Sequence, residues 1–165
     1  QPTPDDRIDG YVGYLHARYV DFLAGVSGEN ARYFASIGRL ENGNAQLSGF
    51  RPPQAPDWSF NVGYEHVFHV LGGTLTPRFQ THPESKSYFQ FFNYAYDKQA
   101  GYRKSDILVT YKPERGNWTL EAFVRNLENT LIYANVTDAT SATYQSYRYQ
   151  YQPPRTYGAR LSFNW

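Results

Sequence analysis

The last nine residues alternate without exception. Tyr157, Ala159, Leu161, Phe163 and Trp165 fall on one side, and Gly158, Arg160, Ser162 and Asn164 on the other. Alternation of period two makes a strand with one apolar and one polar face. Here the apolar face runs to a terminal Trp, an edge that water-soluble sheets seldom leave unprotected. A strand that closes a membrane barrel has such a face, because its outer side meets lipid and its edge is sealed by another strand.

Five more segments repeat the pattern. Tyr11 to Leu23 sets Gly13, Leu15, Ala17 and Tyr19 against Tyr14, His16 and Arg18. Trp58 to Phe68 sets Trp58, Phe60, Val62 and Tyr64 against Ser59, Asn61, Gly63 and Glu65. Thr74 to His82 sets Leu75, Pro77 and Phe79 against Thr76, Arg78, Gln80 and His82, with Pro77 removing one ladder donor. Ser105 to Tyr111 offers Ile107, Val109 and Tyr111, with Leu108 out of phase. Trp118 to Leu127 offers Trp118, Leu120, Ala122 and Val124, with Phe123 out of phase. The sixth strand spans about Arg155 to Trp165.

The connections alternate in length. Ala24 to Asp57, Pro83 to Gly101 and Thr130 to Gln152 are long, whereas His69 to Gly73 and Pro113 to Asn117 are tight. Outer-membrane barrels combine short periplasmic turns with longer extracellular loops. The expectation is an all-β, antiparallel transmembrane β-barrel segment over residues 1–165, with both chain ends periplasmic. Six strands are too few to close such a barrel, so they must pair with strands outside this chain. The opening Gln1-Pro2-Thr3-Pro4 has no signal-peptide pattern, which fits a piece of a longer polypeptide.

Composition narrows the alternatives. With 16 Lys+Arg against 15 Asp+Glu, no electrostatic nucleic-acid binder is expected. Zero Cys excludes a disulfide framework and thiolate metal sites. Mean hydropathy is −0.67, and no apolar run is long enough for a membrane helix, which says nothing of barrel strands. The 16 Tyr, 11 Phe and 3 Trp are abundant, and Tyr and Trp gather at membrane–water boundaries.

Two motifs resemble the end of TonB-dependent outer-membrane receptors. One is Pro154-Arg155-Thr156-Tyr157-Gly158 followed by the alternating strand to Trp165. The other is Phe123-Val124-Arg125-Asn126-Leu127-Glu128-Asn129 with Tyr133 shortly after. Gly13 to Phe22 and the Pro-rich Arg51 to Ser59 are weaker echoes. The resemblance implies a barrel of twenty-two strands, a plug domain ahead of it, and energy from the TonB complex. It implies as partners outer-membrane lipid, the remaining strands and plug, a small-molecule ligand, and the barrel-assembly machinery, which reads Tyr157, Phe163 and Trp165. The function implied is energised uptake of a scarce nutrient such as a siderophore-iron chelate, vitamin or oligosaccharide. The alternatives are a passive outer-membrane pore and a soluble, aromatic-rich carbohydrate-binding module.

No catalytic constellation stands out, so neither bond chemistry nor a cofactor is expected. His66 and His69 have a metal-like spacing for a helix, but strand geometry sends them to opposite faces. His16, His82, Asp106, Glu121 and Arg125 are expected on the polar, lumen-facing side. Asn117-Trp118-Thr119 and Asn135-Val136-Thr137 match the glycosylation acceptor pattern, a coincidence in a bacterial outer membrane. Tyr88, Phe92, Tyr94, Tyr144 and Tyr147 are candidates for a ligand-gripping rim. Alternatively, the period-two spacing of these rings fits extended strands and an interfacial girdle.

Overall fold

A computed structural model describes residues 3–138 and 146–164. In chain order it comprises β1 (Asp6–Tyr14), β2 (Leu23–Gly25), α1 (Gly28–Ser36), β3 (Leu40–Glu41), β4 (Asn44–Gln46), β5 (Trp58–His66), β6 (Phe68–Val70) and β7 (Gly73–Glu84). It continues with β8 (Ser87–Tyr88), β9 (Lys98–Gln99), β10 (Tyr102–Pro113), β11 (Trp118–Arg125), β12 (Tyr133–Asp138), β13 (Tyr147–Tyr151) and β14 (Thr156–Phe163). The protein is predominantly antiparallel β. Its main sheet is a meander in the order β1-β5-β7-β10-β11-β14, with β6 continuing along β7 below β5. Among the described residues, neither β1 nor β14 has a partner on its outer edge.

All six expected segments enter this sheet in sequence, with shifted limits. The largest correction is the first, which runs Asp6–Tyr14 rather than Tyr11 to Leu23. Charge hid its start: Asp6, Arg7 and Asp9 read as loop, yet Asp6 bonds His66 Nδ1 at 2.7 Å and Asp9 takes Arg78 at 2.8 Å. Its expected facing also changes, because Tyr14 belongs to the apolar side, 4.5 Å from the Trp58 ring, and Gly13 to the polar one. Beyond Tyr14 the chain turns away. The Leu15 N–H donates to Asp57 O, and Arg18 and Arg51 both hold the Asp57 carboxylate. His16 therefore sits exposed in a connection and not on a strand face. Pro77 is tolerated in an inner strand because it lies opposite the break between β5 and β6, where pairing is already interrupted.

The sheet is inverted relative to a water-soluble one. One row across all six strands reads Ile8, Tyr64, Phe79, Ile107, Val124, Tyr157. These residues share the outer face, where Val62 is 49% and Tyr157 83% exposed. The opposite face carries most of the charges and is sheltered in the middle of the sheet, where the Arg78 side chain is 20% exposed and Glu65 25%, whereas Arg7 and Arg160 on the edge strands are 60% and 68% exposed.

The band of large apolar side chains crosses the sheet diagonally. On β1 it runs from Ile8 to Tyr14, and on β14 from Tyr157 to Phe163. Tyr14 aligns with Trp58, but Tyr157 aligns with Tyr64, six residues further along β5. The other border moves equally: Ile8 lies in the row of Phe79, and Phe163 in that of Gly73, six residues along β7. With about 3.3 Å per residue and about 4.8 Å between strands, six residues over five steps incline the band roughly 40° to the hydrogen-bonded rows.

The well-packed interior lies in the long connections. Ala24, Phe34, Ala45, Leu47 and Tyr94 form a buried cluster, flanked by Tyr19, Phe22, Phe50, Phe91 and Phe92. The first connection, expected as an irregular loop, instead folds α1 and a small three-stranded sheet, β2-β4-β3. Ser27 enters α1 with extended backbone but makes no side-chain capping bond; Glu29 in the first turn complements the helix dipole, and the helix aims Phe34 inward, 0% exposed.

Candidate functional site

The polar face is built from alternate residues of neighbouring strands. In its lower part, Arg78 of β7 reaches across β5 to Asp9 of β1, with Nη2 at 2.8 and 2.9 Å from the two carboxylate oxygens, and Nη1 lies 3.6 Å from Glu65. Gly63 permits this crossing, since a Cβ there would lie 2.6 Å from Arg78 Nη2. Gln80 donates to Asn61, and Arg160 lies 3.6 Å from Glu121. A cavity of about 270 Å³ is lined here by Arg78, Asp106, Glu121, Arg125 and Arg160, among others.

The two out-of-phase residues of the sequence pair with each other on this wall, Leu108 opposite Phe123. Arg125 lies over the Phe123 ring at 4.9 Å. At the tip of the ring, a Cβ at Gly158 would sit 2.8 Å from Phe123 Cζ. The Gly158 of the terminal motif thus makes room for an aromatic ring on the neighbouring strand.

The second motif clamps the connection between β11 and β14. Asn126, with φ +54°, is almost fully buried; its N–H donates to Asp106 Oδ1, and its side chain bonds Thr130 in both directions and Pro153 O. Glu128 accepts from the Ser105 N–H at 2.8 Å, the Ser105 hydroxyl at 2.6 Å and Arg103 Nε at 3.0 Å. Burial opposes its charge, but these hydrogen bonds outweigh it and hold the carboxyl below its usual value. Asp57 behaves alike: desolvation raises its pKa, Arg51 and Arg18 lower it, and the net shift is downward. Asn129 Oδ1 accepts from the Arg155 N–H.

Above the charged wall, beneath the long connections, a second cavity of about 370 Å³ lies on the polar side. Tyr11, Ser59, His82, Glu84 and Tyr102 line it from the sheet, and Gln54, Phe89, Gln99, Tyr133 and Gln152 from the connections. His82 Nε2 lies 3.2 Å from Glu84 Oε2, and the Tyr102 hydroxyl donates to the same oxygen at 3.3 Å. Gln99 Oε1 accepts from the Tyr133 N–H. Most of these groups escape sequence reading because the third strand was ended at His82 and the fourth begun at Ser105. The register continues to Glu84 opposite Tyr102, and the available signal was His82 and Glu84 at a spacing of two.

The proposed rim residues are placed differently from one another. Tyr94 is 8% exposed, its hydroxyl donating to Asn30 of α1, and Phe92 packs against Phe34, Phe91 and Tyr94. Tyr147 stacks on Tyr96 at 3.8 Å, and Tyr149 donates to Tyr96 O. Phe92 and Tyr94 are thus built into the packing of the connections, while Tyr147 and Tyr149 alternate along β13, the extended arrangement that their period-two spacing gives. Tyr149 is pushed up in pKa, first by burial and then by its neighbouring tyrosines. Tyr88 is half-buried in β8, its carbonyl accepting from the Gln54 N–H. Tyr157 and Phe163 stand on the exposed apolar face; Tyr144 and Trp165 lie outside the described residues. Asp106, Glu121, Arg125 and His82 lie on the polar wall or at its cavities, as the alternation predicts. His66 and His69 bond separate acids, Asp6 and Asp5, and the described residues hold no three-ligand metal cluster.

No protein-family model, curated protein or solved structure matches this chain.

Proposed function

We propose that the chain is the carboxyl-terminal six-strand part of a TonB-dependent outer-membrane receptor, taking up a scarce small molecule through a plugged barrel. The observation that carries the reading is the inverted sheet with its diagonal apolar band. A sheet whose large apolar side chains face outward and whose ion pairs face inward is matched to lipid on one side and a polar interior on the other. The inclination of roughly 40° falls within the 35–45° at which barrel strands tilt, so a tilted sheet would carry its band level with the bilayer. Strands of eight to twelve residues are long enough for tilted crossing. The two open sheet edges await neighbouring strands of the same barrel, the polar wall faces the plug, and the folded connections form the extracellular cap.

Fractionation with heat-modifiability on gels tests this. A heat-modifiable band of the whole receptor in the outer-membrane fraction is expected, as is ligand uptake that stops when the TonB complex is removed. Uptake indifferent to TonB makes the protein a passive pore. Recovery of residues 1–165 as a soluble, cooperatively folding monomer overturns the membrane reading.

A further inference from the structure

The two cavities of the polar face differ in charge, and the difference selects a ligand. The lower one gathers Arg78, Arg125 and Arg160 with two acids, Asp106 and Glu121. The upper one has neither Arg nor Lys in its lining, and its ionisable acid–base pair is His82 with Glu84. Lys104 stands opposite His82 in the next strand, but its ammonium donates to Gln152 Oε1 at 3.2 Å and does not line the space.

We propose that the upper cavity takes a neutral polyhydroxylated ligand, a short oligosaccharide, with the rings of Phe89, Tyr102 and Tyr133 against sugar faces and Glu84 accepting from hydroxyls. The assignment rests on the receptor reading only for what happens to the ligand after it binds. Both side-chain bonds to Glu84 use Oε2, and among the described residues none is made to Oε1, so a carboxylate oxygen remains for a ligand hydroxyl. An anionic chelate would meet this carboxylate without the inward-pointing cations that anions require. A wholly apolar ligand would strip water from Glu84 and return no hydrogen bond. A polyol satisfies both demands, because its hydroxyls donate to the carboxylate while its C–H faces lie on aromatic rings. Phe89 and Tyr133 pack edge to face, at 76° with centroids 6.3 Å apart, which fixes the orientation of both rings in the lining. The volume, about 370 Å³, is in the range of small-molecule sites.

The test uses the whole receptor in detergent, screened on an array of neutral oligosaccharides of two to four units and, in parallel, against a ferric tris-catecholate and a ferric trihydroxamate. Binding of a neutral oligosaccharide is expected, weakened about ten-fold or more by Glu84→Gln and by Phe89→Ala. Ser59→Ala, a smaller change in the same lining, should weaken it less, and Glu121→Gln in the lower cavity should leave it unchanged. Heat-modifiability establishes that each variant is assembled. Binding of no neutral oligosaccharide by assembled receptor, preference for a ferric chelate, or glycan affinity indifferent to Glu84→Gln and Phe89→Ala each overturns the proposal. A soluble chain that still binds the glycan through Glu84 and Phe89 would sink the receptor reading and leave the cavity assignment standing.

Discussion

The six long strands and the connections above them treat apolar side chains in opposite ways. In the connections, Phe34, Leu47 and Tyr94 turn inward and meet one another, as in any water-soluble domain. On the strands, Val62, Leu161 and Phe163 turn outward, and Arg78 with Asp9 and Glu65 takes the sheltered side. Under the receptor reading proposed above, the difference has one cause: water surrounds the connections and a hydrocarbon layer surrounds the sheet.

The comparison can be broken first at Phe34. Phe34→Ala removes a fully buried ring from the cap and should cost about 3–5 kcal/mol of cap stability. Proteolysis of the connection between β1 and β5 should become rapid, while heat-modifiability of the assembled barrel persists. Loss of both together would mean that cap and sheet are one cooperative unit. On the strands the sensitivity reverses in kind. Val124→Arg or Leu120→Arg should cost about 2–4 kcal/mol near the bilayer midplane, whereas Glu121→Arg should cost much less. Refolding into lipid, followed by urea titration, reads both, and equal tolerance of the two faces would show that the register is wrong. A smaller effect is expected at the junction. Asn126→Ala leaves partners at Thr130 and Pro153 short of side-chain bonds and should cost about 1–3 kcal/mol, visible as faster cleavage between β11 and β14. Glu128→Gln should act in the same direction and more weakly.

Acid gives the smallest effect. The carboxyls of Asp57 and Glu128 are held below their usual values. Their contribution to cap stability is therefore complete above those usual values, near 4, and is lost as pH falls through the lowered ones. Susceptibility to an acid-tolerant protease should stay flat from pH 8 to pH 5 and rise below about pH 4. A rise already at pH 6 would point to a histidine instead.

The sheet was legible in the sequence because a strand with one apolar and one polar face alternates with period two, and Trp58 to Tyr64 and Tyr157 to Phe163 stand at the places their pattern gives them. Strand limits were less legible where the strand carries charge. Asp6 and Asp9 look like loop residues until His66 and Arg78 arrive from other strands to pair with them. The same holds for Glu84 and Tyr102, which close the upper cavity across a hairpin whose extent depends on long-range register. The cap was hidden for a different reason. Its core unites Phe34, Leu47 and Tyr94 from two separate connections, and no local period announces a cluster of that kind. Leu108 and Phe123, the exceptions to alternation, acquired their reason only when Gly158 and Arg125 were found around them.

The absence of Cys from the sequence permits a direct measurement of the inverted, tilted sheet. Single cysteines at Tyr14, Ile107, Tyr157 and Glu121, spin-labelled in the receptor assembled in lipid, report depth and environment through collision with oxygen and with a water-soluble nickel complex. The labels at Tyr14, Ile107 and Tyr157 should meet oxygen, and the one at Glu121 the nickel complex. Tyr14 and Tyr157, on the same border of the apolar band, should lie at equal depth although they occupy different rows, and Ile107, inside the band, should lie deeper than Tyr157 although the two share a row. Nickel access equal on both faces, or equal depth for Ile107 and Tyr157, would contradict the account.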